Sequence, residues 1–208
     1  MLDPMKEIGS IHTFEDKAFL RWIARVAAAV LVSGVVVGVV WYGVASLVLP
    51  GRTPFEVLGL WYREGLGGLA VWTASLLGVN LAALPLHEVV HAVFFKLFAP
   101  AGSSVRFGAN WKAGMIYACA EGIVYTRRQY MVIAAAPSIA VTVAIAAVAV
   151  ALGWPLWGLI GVTVHLSGCT GDWGYLRAIH ADAAISHCED TAWGVLFFGT
   201  DQGDGDDR

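Results

Sequence analysis

Residues 84–96 read LPLHEVVHAVFFK, which sets two histidines and a glutamate into a run that is otherwise almost wholly apolar. Ionisable groups inside an apolar helix are costly unless they are paired or hold an ion. In a helix, residues i and i+4 lie on one face, so His87 and His91 present two imidazole nitrogens to one ion. Glu88 stands beside them, about 100° round the axis. This is the HExxH arrangement, in which neutral imidazoles bind zinc and the nearby carboxylate takes a proton from water and delivers it to a leaving amine. The reaction class it supports is metal-assisted hydrolysis, most naturally of a peptide bond. The competing reading is a polar cluster that only links helices.

The rest of the chain decides the solvent around that stretch. Of 208 residues, 58% are hydrophobic and 14% charged, a balance outside that of soluble domains. The sequence therefore predicts a membrane protein. A span takes about 20 mostly apolar residues, and residues 26–51, 65–86 and 129–164 carry no Asp, Glu, Lys, Arg or His. The last run is too long for one helix, and Gly153, Trp154 and Pro155 supply a turn within it. The reading is an all-α membrane protein with transmembrane helices at about 20–49, 66–98, 130–152 and 154–181. A small β-hairpin or loop is inserted between the second and third. Residues 1–19 form an N-terminal arm, 20–181 one transmembrane metalloprotease-like domain, and 182–208 an acidic tail ending in a solvated DQGDGDDR.

Positive charge orients this arrangement. Lys6, Lys17, Arg21 and Arg25 precede or open the first helix, and Lys96, Arg106, Lys112, Arg127 and Arg128 lie around the connection after the second. The opposite side has only Arg52 and Arg63. Both termini are expected in the cytoplasm, with Trp41, Tyr42, Trp61, Tyr62, Trp154 and Trp157 in the outer aromatic belt. The first helix lacks a convincing cleavage site and is expected to stay in the mature chain. A net charge of −3 without a basic run speaks against nucleic-acid binding. Cys119, Cys169 and Cys188 are odd in number and widely spaced, which suggests free thiols.

Between the second and third helices, alternation around Val105–Phe107 and Met115–Cys119, separated by GANWKAG, suggests the hairpin; an irregular loop is the alternative. A zinc site also needs a third protein ligand and an open position. Asp172, His165 and Glu121 are the candidates. Counted from the outer helix ends, His87 and Asp172 each lie about 18 residues in, roughly 27 Å at 1.5 Å per residue, whereas His165 sits about 10 Å further out. Since i and i+7 share a face, His165 can still support the site or touch substrate, or simply bond a neighbouring helix. Pro85 and Pro137 can open helices near the site or serve packing, and Gly168 and Gly171 can admit a peptide backbone or only close packing.

HEVVHAVFFKLF (87–98), YACAEGIVYTRRQYMVIAAAP (117–137) and SGCTGDWGYL (167–176) together resemble a family of small zincin peptidases, similar in turn to the catalytic core of site-2 proteases. The resemblance covers about 81–179. It implies an intramembrane zinc metalloprotease with one Zn2+ per chain, His87, His91 and Asp172 as metal ligands, and Glu88 as catalytic base. Its partners would be the lipid bilayer and a membrane-associated protein or peptide substrate. The site-2 pattern places its late ligand among Asn, Pro and an Asp-Gly pair, whereas this chain has Gly171-Asp172-Trp173. Two other classes stay open: a zinc-binding membrane protein without proteolysis, and a metal-free structural or transport four-helix protein, although the paired halves of a transporter are not evident.

Overall fold

The computed structural model describes residues 5–48, 55–111 and 115–200. The acidic end at 201–208 and Lys112 to Gly114 of the expected hairpin turn lie outside them. In chain order the elements are β1 (Met5–His12), α1 (Lys17–Val48), α2 (Glu56–Phe98), β2 (Arg106–Asn110), β3 (Met115–Cys119), β4 (Val124–Thr126) and α3 (Arg127–Leu152). There follow α4 (Pro155–Gly168), α5 (Thr170–Ala181), β5 (His187–Thr191) and β6 (Gly194–Thr200). Among the described residues three helices, α1, α2 and α3, are long and apolar enough to cross a membrane. The fourth expected span is instead two shorter helices meeting at Cys169, whose N–H bonds back to His165 and Leu166 carbonyls in the manner of a helix end. The all-α reading is also corrected, because strands form from both ends of the described chain. β1, β6, β5 and β4 make a four-stranded antiparallel sheet in that order.

The chain forms two compact units. The sheet unit comprises Met1–Ile23, Glu88–Ala136 and Gly171–Arg208, and the helical unit comprises Ala24–His87 and Pro137–Thr170. In the sheet unit, the core gathers Phe95, Tyr125, Tyr130, Ile133, Ile179, Val195 and Phe197, all buried. Asp16 caps α1, its Oδ1 accepting from Ala18 N at 2.8 Å and Phe19 N at 2.9 Å, the usual use of aspartate before a first turn. The separate hairpin β2–β3 is present as expected, with Arg106 opposite Cys119 and Asn110 opposite Met115. Gly108 lies opposite Tyr117 because the tyrosine ring crosses it, and a Cβ there would come within 2.4 Å of the ring.

The helical unit is held by small residues and one carboxylate. A Cβ on Gly34 would lie 2.4 Å from Thr163, and one on Gly158 would lie 2.4 Å from the Ala149 side chain, so these glycines let α1 and α3 approach α4 closely. Glu56 accepts from Leu156 N at 3.0 Å, Trp157 N at 2.8 Å and Trp72 Nε1 at 2.9 Å. It satisfies two of the orphan N–H groups at the start of α4, where Pro155 supplies none and Trp154 offers no side-chain cap. Outside, α1 exposes Val32, Val35, Val36, Val39 and Val40, surface suited to lipid and costly in water. The non-helical residue within α2 is Gly65 (φ 60°, ψ −140°), while the helix runs through Pro85. All three cysteines are buried and none forms a disulfide.

Candidate metal centre

The last turns of α2 carry His87, Glu88 and His91 on continuous helix, so the i, i+4 relation of the two histidines holds. In the sheet unit His91 is buried and held from two sides. Its Nδ1 is 3.1 Å from the Ile133 carbonyl and, as the donor to it, carries the proton. That leaves the Nε2 lone pair on the other side of the ring, where Asp172 Oδ1 lies 3.3 Å away. A second partner that fixes the ring tautomer in this way is a recurrent feature of metal-ligating histidine.

The spacing suits a small ion. With ligand bonds of about 2.0–2.1 Å, neighbouring vertices of a tetrahedron around zinc are separated by about 3.3 Å, which matches the Nε2–Oδ1 distance. One imidazole nitrogen and one carboxylate oxygen are both zinc donors, and the pair fits the ion. Asp172 lies in the first turn of α5.

Glu88, on the same side of the unit boundary as His91, has its Oε2 accepting from Ala118 N at 2.7 Å. This ties the carboxylate to β3. A glutamate held by a backbone N–H is fixed in orientation. Glu121, the other carboxylate weighed as a ligand, is committed elsewhere: it accepts from Ala192 N at 3.2 Å and lies 3.8 Å from Arg106 Nη1.

A further carboxylate belongs to this neighbourhood. Asp190, on β5, accepts from the Tyr130 hydroxyl at 2.7 Å. Its pKa is pushed up from 3.8 to about 7, chiefly by desolvation; the Tyr130 hydrogen bond and the charge of His91 oppose the rise, while Asp172 and Glu88 add to it. Its link to all three is thus electrostatic. Asp190 escapes a sequence reading because nothing in HCEDTAW marks the strand that carries it inward.

His87 falls in the helical unit. Its Nδ1 is 3.8 Å from Cys169 Sγ, and its ring meets that of His165 edge-on at 5.7 Å between centroids. His165, Cys169 and His87 each offer one ligand atom, all within 4.8 Å of one another. The sequence signal for Cys169 is its i, i+4 spacing from His165 in HLSGC, masked by the more obvious i, i+7 relation of His165 to Asp172.

Residues 80–182 match a family described as "Putative zincin peptidase". The match spans the HExxH stretch, the hairpin and Asp172, and the family implies a zinc cofactor. No curated protein and no solved structure gives a significant match to the chain.

Proposed function

From the zincin peptidase match of residues 80–182, we propose that this protein is an intramembrane zinc metallopeptidase that cleaves membrane-associated proteins or peptides. The observation that carries the reading is the pairing of a tautomer-fixed His91 with Asp172 at the edge length of a zinc tetrahedron. His87, one turn before His91 on α2, is the third ligand. Zinc held by these three residues would polarise the scissile carbonyl and make a nearby water more acidic. Glu88, fixed by Ala118 N–H, accepts a proton from the attacking water and returns it to the amine nitrogen as the peptide bond breaks.

A helical substrate has its amides and carbonyls already bonded, so it must be extended to expose the bond that is cut. β3 is suited to receive it by strand addition. The Ala118 N–H bonds Glu88 and so points away from β2. By the alternation of antiparallel pairing, the Ile116 N–H points the same way. An extended segment along that edge would lie against the catalytic carboxylate.

The sheet also bears on topology. β1, β4, β5 and β6 are hydrogen-bonded in one sheet, which supports placing the segment before α1, the segment before α3 and the segment after α5 on a single side of the membrane. Eleven of the thirteen Lys and Arg fall in or beside these segments, and only Arg52 and Arg63 fall elsewhere. The positive-inside rule makes that side cytoplasmic, with the centre near the cytoplasmic face, where water reaches it without crossing the bilayer.

Cleavage of a membrane-anchored reporter in vesicles tests the proposal, comparing wild type with Glu88→Gln at matched zinc content. Loss of cleavage with retained zinc is expected. Equal cleavage by both would remove Glu88 as the base and with it the proposed reaction.

A further inference from the structure

The helical unit contains a thiol between two imidazoles. Cys169 is fully buried where α4 gives way to α5, and His165 is buried one turn earlier on the same helix face. Cys169 Sγ lies 3.6 Å from His165 Nε2 and 3.8 Å from His87 Nδ1. His165 Nδ1 is 3.9 Å from the same sulfur and 3.2 Å from Thr142 Oγ1, so the ring lies against the thiol and is held from the side of α3. For a tetrahedral ion with bonds of about 2.3 Å to sulfur and about 2.05 Å to nitrogen, a sulfur–nitrogen edge is about 3.6 Å. Both observed separations are close to it.

We propose that Cys169, His165 and His87 form a second metal site, which takes a thiolate-preferring transition ion such as Zn2+ or Cu+. One thiolate and two imidazoles select such ions over Mg2+ or Ca2+, which require oxygen donors. Binding displaces the thiol proton to solvent, and the thiolate, buried away from water, is compensated by the ion. Without an ion, the thiol donates to the His165 carbonyl, 3.3 Å away, as an ordinary helix-packing contact. On the peptidase reading above, His87 also serves the centre of His91 and Asp172. The two positions then share one imidazole, and an ion on Cys169 draws His87 away from the peptide-cleaving centre.

Cobalt titration of the full-length, detergent-purified protein tests this, because a cobalt–thiolate bond gives a near-ultraviolet charge-transfer band that imidazole and carboxylate ligands do not. The band is expected in wild type at saturating Co2+, lost in Cys169→Ser and in His165→Ala, and stronger in Asp172→Ala, where His87 is released. A wild-type protein without the band, which needs no variant to interpret, would overturn the site. So would a band that survives Cys169→Ser, or one lost in Asp172→Ala. A band merely unchanged in Asp172→Ala would leave the thiolate site standing and count against the peptidase reading instead.

Discussion

His91 Nε2 stands 3.3 Å from Asp172 Oδ1, joining a residue of the HExxH helix to one 81 positions later in the chain. A neutral imidazole and a carboxylate at that distance either share a proton or share an ion. The hydrogen bond of His91 Nδ1 to Ile133 leaves only the second nitrogen for that purpose. Asp172→Asn keeps the shape and removes the charge. Its expected effect is a loss of zinc affinity larger than the roughly 10–100-fold that losing a supporting contact costs, measured by competition with a chelator. Unchanged affinity would mean that Asp172 only orients His91.

Glu88→Gln separates binding from chemistry. The Gln side-chain carbonyl can still accept from Ala118 N, so fold and metal content should be those of wild type. Cleavage should fall by about 10²–10⁴-fold, the usual contribution of a general base, with KM little changed. A large rise in KM at constant kcat would place Glu88 in substrate binding instead.

The outer edge of β3 gives a sharper test of substrate handling. Ile116 is opposite Ala109 in a pair whose N–H groups face outward. Ile116→Pro therefore removes a donor from that edge without breaking the ladder to β2. A lost hydrogen bond of about 1–1.5 kcal/mol corresponds to roughly tenfold weaker kcat/KM toward an extended substrate, with zinc content unaffected. Unaltered cleavage would exclude strand addition at β3.

Asp190 gives a pH signature. Folded, it keeps its proton up to about pH 7; its ordinary value is 3.8. Between those values the native state binds more protons than the unfolded one, so this group's contribution to stability declines as pH rises through the window and is level above it. Asp190→Asn can still accept from Tyr130 but does not ionise. In metal-free protein its stability relative to wild type should therefore increase from pH 3.8 to about 7, reaching on the order of 2 kcal/mol. That is about half of what the full shift is worth at 1.36 kcal/mol per unit, since protein and water relax around a carboxylate that ionises inside the fold. Unfolding midpoints across this range are the measurement, and a difference that does not vary with pH would contradict the account.

Glu56 tests the helical unit. Glu56→Ala leaves Leu156 N, Trp157 N and Trp72 Nε1 without their acceptor. The expected cost is on the order of 3 kcal/mol, at about 1 kcal/mol per unmade bond in a poorly solvated place. Denaturation in mixed micelles reads it. A change below ~0.5 kcal/mol, as for an ordinary surface site, would show that water replaces the carboxylate.

What the sequence discloses depends on how local the cause is. The apolar runs locate α1 and α3 within about three residues, because lipid imposes length and composition on a span. The spacing of His87, Glu88 and His91 was legible for the same reason, being a property of one helix. The hairpin β2–β3 could be read from its alternation, and its two strands are neighbours in the chain. The four-stranded sheet could not. β1 pairs with β6 from the far end of the chain, with an irregularity between Glu7 and Gly9, and β5 is mostly polar. Asp190 was missed along with that strand. The break at Cys169 was missed too: Gly168 and Gly171 read as room for a peptide backbone or for close packing, not as a helix end, and no proline marks it.

Zinc content of the protein as purified from zinc-replete cells is the most direct test of the central claim, with His91→Ala and Asp172→Ala as the paired variants. Zinc is expected in wild type, with the loss of one equivalent in each variant. Wild type without zinc, or variants that retain all of it, would leave the 3.3 Å contact of His91 and Asp172 as a buried polar pair and remove the basis for a peptidase.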